Sequence, residues 1–286
     1  MKSIHPLQIV DKVAVLKRYK PVISTTHKGL QGHALLIAGT YGKMGAAVLS
    51  TRSCIRSGCG LVTAFIPKCG YHIMQLANPE VMTYTDDVEK RISNISIGIH
   101  PNAVGLGPGI GTSSQTQKAV LKFLKKNHYP MVIDADGINI LAANQEELIY
   151  LTPRTILTPH LKELERLIGN FKDEEEKFQK TISFSKKYKV IVVVKGAPTH
   201  IIDGDTIYKN TTGNAALATA GSGDVLTGMI TSFLAQSYTP IDAAILGVYL
   251  HGLTADIALP EMGIHSFIAS DIINYLGRAF IAIENS

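Results

Sequence analysis

From His33 onward the chain alternates between two hydrophobic patterns. Short, nearly unbroken apolar runs occupy residues 33–38, 61–66, 103–106, 131–134, 155–157 and 190–194. Runs of this length without polar alternation predict strands buried on both faces. Helically spaced stretches lie between them, one of small residues running to Ser57 and another over 113–127. Such alternation predicts a single α/β domain with a mostly parallel central sheet and helices on both faces. Residues 200–208 break the rhythm: they alternate around Asp203-Gly204 and predict a β-hairpin. Beyond Gly213 the spacing turns helical over 224–236, 240–258 and 268–283. Residues 1–31 carry no pattern except over 10–16, so they read as an N-terminal lead-in segment before a domain over 32–286. The acidic run 173–176, flanked by Lys172 and Lys177, reads as a solvated helix start.

Composition narrows the function. Hydrophobic residues reach 45% against 18% charged, enough for a large core and too many for global disorder. The net charge of +5 comes without any Lys/Arg cluster interleaved with aromatics, so no nucleic-acid partner is expected. The first residues show no signal peptide, and no unbroken apolar run reaches the roughly 18 residues of a membrane span. The three cysteines, Cys54, Cys59 and Cys69, form no C-x-x-C pair. They read as structural thiols of a protein in a reducing cytoplasm.

The polar residues and glycines stand where ligands bind in open α/β sheets, just beyond the carboxyl ends of strands. Gly221-Ser222-Gly223 precedes a helix that carries Asp224 near its start. Unpaired N–H groups at such a helix start suit a phosphate, and a carboxylate beside them can take a proton from a hydroxyl. Capping of the helix is the alternative role for Asp224. The glycine run 105–111 implies close approach of backbone to something, and Gly39-Thr-Tyr-Gly-Lys-Met-Gly-Ala46 is a second Gly-rich turn for which generic small-residue packing is the alternative. Neither spells a phosphate P-loop or G-x-G-x-x-G. Asp134 and Asp136 are both candidates for a phosphate or metal, with capping the alternative for Asp136. His160 and Glu163 stand at a helix start, where a structural role is the alternative for His160. Lys195 follows a strand and precedes Gly196.

Taken together, these segments resemble the ribokinase-like superfamily and, within it, the ADP/ATP-dependent NAD(P)H-hydrate dehydratases. Residues 210–228 resemble the C-terminal signature T-G-N-x-x-x-A-T-x-G-[ST]-G-D-V-L-x-G. Residues 104–111 resemble the family's G-P-G-L-G loop, 134–139 its D-A-D-A-L-N segment, and 158–163 its T-P-H-x-x-E segment. The resemblance runs over residues 27–283. It implies that Asp224 is the catalytic base, and that Ala46, Gly109, His160 and Asp224 bind the substrate. It further implies that Lys195, Gly196, Ala197, Pro198, Thr199 and Gly223 bind the nucleotide, with Glu163 organising Mg²⁺ through water.

The implied reaction is dehydration of the 6S hydrates of NADH and NADPH with ADP, or ATP, as co-substrate. A homo-oligomer is expected, with no membrane partner. The bifunctional relatives carry an epimerase domain in front, so association with, or fusion to, an NAD(P)H-hydrate epimerase is a further expectation. A rival reading is an ATP-dependent kinase of the same fold for a vitamin precursor or sugar. It shares Asp224, but His160 stands where sugar kinases have Asn. A non-catalytic nucleotide sensor is disfavoured by the intact Gly-Ser-Gly-Asp.

Overall fold

Successive side chains of a strand point to opposite faces, so an apolar run without polar positions needs cover on both sides. Strand β2 (His33–Ile37) meets that need. Ala34 and Leu36 sink into one core, and Leu35 and Ile37 into the other. The computed structural model describes residues 6–285. In chain order the elements are β1 (Leu7–Val10), α1 (Lys12–Leu16), β2, α2 (Met44–Arg56), β3 (Leu61–Ile66), α3 (Tyr71–Ala77), β4 (Met82–Thr85) and β5 (Ala103–Leu106). There follow α4 (Ser114–Leu124), β6 (Met131–Ile133), α5 (Asp136–Ala143), β7 (Ile156–Leu157), α6 (Leu161–Ile168), α7 (Glu174–Tyr188) and β8 (Ile191–Val194). The chain ends with β9 (His200–Asp203), β10 (Thr206–Asn210), α8 (Ser222–Ala235), α9 (Pro240–Ala258) and α10 (Ala269–Glu284).

The strands form one sheet in the order β1-β10-β9-β8-β7-β6-β5-β2-β3-β4. Only β9 runs against the rest, through the hairpin it makes with β10. The expected mostly parallel sheet and the hairpin are therefore both present, although the two turn residues are Gly204 and Asp205. From β2 the chain moves outward to β3 and β4, whereas from β5 it moves the other way. The boundary between β2 and β5 is thus the switch point of the sheet, where a crevice opens beyond the strand ends.

Four elements differ from the sequence reading. Residues 7–10, set apart as lead-in, form β1 and pair in parallel with β10 at the sheet edge. Four residues are too few to reveal a period, and their partner lies far along the chain. Elements α3 and β4 were not anticipated; β4 is also an edge strand, with half of its side chains exposed. Helix α8 begins at Ser222, two residues earlier than expected, because Gly221 takes a φ of 87° at its N-cap. Among the described residues, α9 alone is long and apolar enough to cross a membrane, yet 72% of it is buried inside the fold. Its hydrophobicity reflects packing against α8 and α10.

Helix α8 lies against α2 so closely that a Cβ on Gly228 would stand 2.0 Å from the carbonyl oxygen of Ser50. Backbone cannot yield as a side-chain tip can, so Gly228→Ala must separate the two helices. We expect a loss of about 1–3 kcal/mol, as for other overpacked interiors. Urea unfolding followed by circular dichroism measures it, and an unchanged midpoint would mean that the contact is slack.

Candidate active site

At the switch point the loops after β2 and β5 hold each other. The Gly39 N–H donates to the carbonyl of Pro108 at 2.8 Å, and the Gly107 N–H donates to the carbonyl of Ile37 at 3.1 Å. Gly109, at φ 63°, would bring a Cβ within 2.9 Å of the Ala46 Cβ, so these two predicted residues are close neighbours. They line a hollow of about 410 Å³ together with Lys43, Asp136, Asn139, Glu163 and Asp224. Asp136 does not cap α5. Its Oδ2 accepts from the Gly111 N–H at 2.9 Å and faces Lys43 Nζ at 3.4 Å, tying the β6 end to both glycine loops.

Asp224 sits in the first turn of α8, and no side chain caps this helix, so the capping role is not the one it plays. Its carboxyl is pushed up to about 7, first by burial, then by the nearby charge of Asp134, with Asp136 adding to this and Lys195 opposing it. Asp134, at 1% exposure, is fully buried and needs partners. Its Oδ1 accepts from Lys195 Nζ at 2.7 Å and its Oδ2 from the Thr227 hydroxyl at 2.8 Å. Burial alone would lower Lys195, but the charges of Asp134 and Glu163 outweigh it and hold the ammonium above its ordinary value. The result is a firmly cationic lysine beside a carboxyl poised near neutrality.

On the other side of this cluster a cavity of about 600 Å³ is lined by Lys195, Gly196, Ala197, Pro198, Thr199 and Gly223. The predicted nucleotide segment thus gathers around one space. A Cβ on Gly223 would lie 3.2 Å from Lys195 Nζ, so a side chain there would crowd the lysine. His160 lines this same cavity and not the hollow of Asp224. Its Nδ1 accepts from the N–H groups of Lys162 and Glu163, and its own backbone N–H donates to Glu163 Oε2 at 2.9 Å. This reciprocal cap fixes the start of α6 and leaves His160 Nε2 3.3 Å from Glu163 Oε1.

The sequence reading passed over several residues that shape the site. From α9, Asp256 accepts from the Gly213 N–H and the Asn214 side chain, both at 2.8 Å, and so holds the loop after β10. His251, buried and pushed down to about 4 by that burial, stays neutral and lies 3.0 Å from the Ser222 carbonyl. No local pattern marks these positions, since α9 is apolar on all sides. Among the described residues no group of three His, Cys, Asp or Glu is arranged to hold a metal. Glu163, Asp136 and Asp224 nevertheless share one hollow. A donor set of carboxylate oxygens suits Mg²⁺, which commonly arrives with waters and phosphates.

A family model described as NAD(P)H-hydrate dehydratase matches residues 34–278. The chain belongs to the NAD(P)H-hydrate dehydratase family. An ADP-dependent (S)-NAD(P)H-hydrate dehydratase of Neisseria meningitidis is 35% identical over 253 residues, covering 86% of this chain and 83% of that protein. A bifunctional NAD(P)H-hydrate repair enzyme of Moorella thermoacetica is 33% identical over 87% of this chain, but over only 49% of its own length. The chain therefore spans about half the length of the bifunctional relatives it matches. The ADP/ATP-dependent NAD(P)H-hydrate dehydratase of Bacillus subtilis, crystallised with ATP and Mg²⁺, superposes with a TM-score of 0.82 at 26% identity, covering 98% of this chain and 99% of that one. The dehydratase family and the ribokinase-like fold expected from the motifs thus both hold.

Proposed function

We propose that this protein dehydrates the 6S hydrates of NADH and NADPH at the expense of ADP. The observation that carries the reading is Asp224: a carboxyl raised to about 7 in the glycine-floored hollow, next in the chain to Gly223, which lines the cavity of the lysine segment. The hydrate's ring presents its 6-hydroxyl at Asp224. That oxygen attacks the terminal phosphoryl group of ADP as its proton passes to Asp224, and the bond to AMP breaks. Hydroxide is a poor leaving group, but phosphate is a good one. It departs from C6 with the oxygen, helped by the ring nitrogen's lone pair, and loss of a proton from C5 restores the dihydropyridine.

Lys195 and the free N–H groups at the start of α8 offset charge on the phosphoryl oxygens during transfer. Ala46 and Gly109 give the ring close contact with backbone, while Gly196, Ala197, Pro198, Thr199 and Gly223 cradle the nucleotide. Glu163 and Asp136 are the residues that would hold Mg²⁺, through water, and the ion would neutralise phosphate charge. The position of His160 between Glu163 and the larger cavity makes it a contact shared by hydrate and nucleotide in this reading. The same proposal places the enzyme in the cytoplasm, where its three cysteines stay free thiols, and pairs it with an NAD(P)H-hydrate epimerase, in trans or fused.

Incubation with NADH hydrate, Mg²⁺ and ADP should return reduced-nicotinamide absorbance with equal amounts of phosphate and AMP. Accumulation of a stable phosphorylated product would favour the kinase reading instead. The pH dependence follows from the base: protonated Asp224 cannot accept a proton, so kcat/KM for the hydrate should rise with pH through about 7 and level off above it. A flat profile between pH 6 and pH 8 would remove Asp224 as the titrating base.

A further inference from the structure

Beside the hollow of Asp224 lies a second one of about 350 Å³, and the two share Gly42 and Gly45 as common lining. A Cβ on either glycine would meet nothing within 4 Å, so the backbone between the hollows is an open floor. The outer hollow is lined by Tyr41, Met44, Cys69 and Ile73. Tyr41 leaves 65% of its surface in solvent, more than the exposed Tyr71, Tyr84 or Tyr150. It is nevertheless anchored: its N–H donates to the Lys90 carbonyl at 2.9 Å, and Lys90 Nζ stands 5.0 Å from the ring centroid. Lys43, 58% exposed at its side chain, stands beside the shared floor.

On the functional reading above, on which this inference rests, the substrate is longer than its reacting ring. Its diphosphate and its adenosine half must leave the Asp224 hollow, and the 600 Å³ cavity is taken by ADP. Two exits remain. One leads past Asp136 and Asn139 to a polar hollow at Arg166. That route runs along Asp136, whose Oδ2 faces Lys43 Nζ at 3.4 Å, and its own cation, Arg166, already donates to Asn139 Oδ1 at 2.7 Å. The other crosses the glycine floor beside Lys43 and ends on an apolar shelf with an exposed ring. Diphosphate charge suits the second route, and a purine face suits its end.

We infer that Tyr41, with Ile73 and Met44, forms the subsite for the adenine of the dinucleotide hydrate, and that Lys43 offsets the diphosphate as it crosses Gly42 and Gly45. Tyr41 is then a specificity-determining residue: it acts on the dinucleotide and has nothing to hold in a substrate that lacks the adenosine half.

The test compares NADH hydrate with the hydrate of reduced nicotinamide mononucleotide, both at saturating ADP. Base–aromatic stacking of ordinary strength predicts that Tyr41→Ala lowers the kcat/KM ratio of dinucleotide to mononucleotide hydrate by about ten-fold. Tyr41→Phe should keep the parent ratio, because the stacking face remains. An unaltered ratio in Tyr41→Ala, or a ratio that falls in Arg166→Ala instead, overturns the subsite. Failure of the parent protein to dehydrate either compound would overturn the functional reading itself, and this inference with it. The two failures are thereby distinct.

Discussion

Asp224→Asn should slow turnover by about 10²–10⁴-fold, the range that a positioned general base supplies, while ADP still binds. The amide keeps the shape of the carboxyl but cannot accept the hydroxyl proton. The same variant should be more stable than the parent above neutral pH. Between the ordinary carboxylate value of 3.8 and the folded value of about 7, the folded protein holds a proton that the unfolded chain gives up. Stability contributed by the protonated carboxyl is therefore present at low pH and lost as pH rises through about 7. The full shift corresponds to about 4 kcal/mol, and the partial exposure of Asp224 reduces this to roughly 2 kcal/mol. Asparagine has no charge to desolvate. A melt near pH 8 should thus lie about 4–8 °C above the parent, with the gap closing toward pH 4. A variant that melts with the parent at both pH values, or turns over within a few-fold of it, would show that Asp224 is neither strained nor catalytic.

Lys195→Met should be the most destabilising single change in the site. It leaves Asp134 at 1% exposure with one oxygen still bound to Thr227 and the other without the ammonium that donates to it. Removing one partner of a buried pair costs about 3–5 kcal/mol, or roughly 10 °C in Tm for a chain of this size. Nucleotide binding should fall as well, since Lys195 lines the same cavity as Gly223 and the segment from Gly196 to Thr199. Adding Asp134→Asn to Lys195→Met removes the orphaned charge and should recover much of the stability but none of the ADP affinity. Thermal melts and ADP titrations of both variants separate the structural effect from the binding effect. Equal melting of Lys195→Met and the parent would mean that the buried pair contributes nothing to stability.

Local pattern determined most of the fold. Runs such as residues 190–194 can only be satisfied as strands covered on both sides, and the glycines after β2 and β5 mark backbone that must turn or be approached closely. Residue type made Asp224, Glu163 and Lys195 candidates, because few side chains can move a proton, hold a cation or meet a phosphate, and the family resemblance of their motifs singled them out. The electrostatic state of the site was not legible in this way. Lys195 and Asp134 lie 61 positions apart, and Thr227 lies 93 from Asp134. They meet only because the sheet order sets β8, β7 and β6 side by side while α8 packs against β6 and its neighbour β5. The near-neutral carboxyl of Asp224 follows from that meeting, since a pKa depends on buried neighbours and not on sequence neighbours. For the same reason the pairing of β1 with β10, the hold of Asp256 on the loop after β10, and the place of His160 beside the larger cavity were decided by tertiary structure. Periodicity records which side of an element is buried; which element lies against it depends on contacts between residues far apart in the chain.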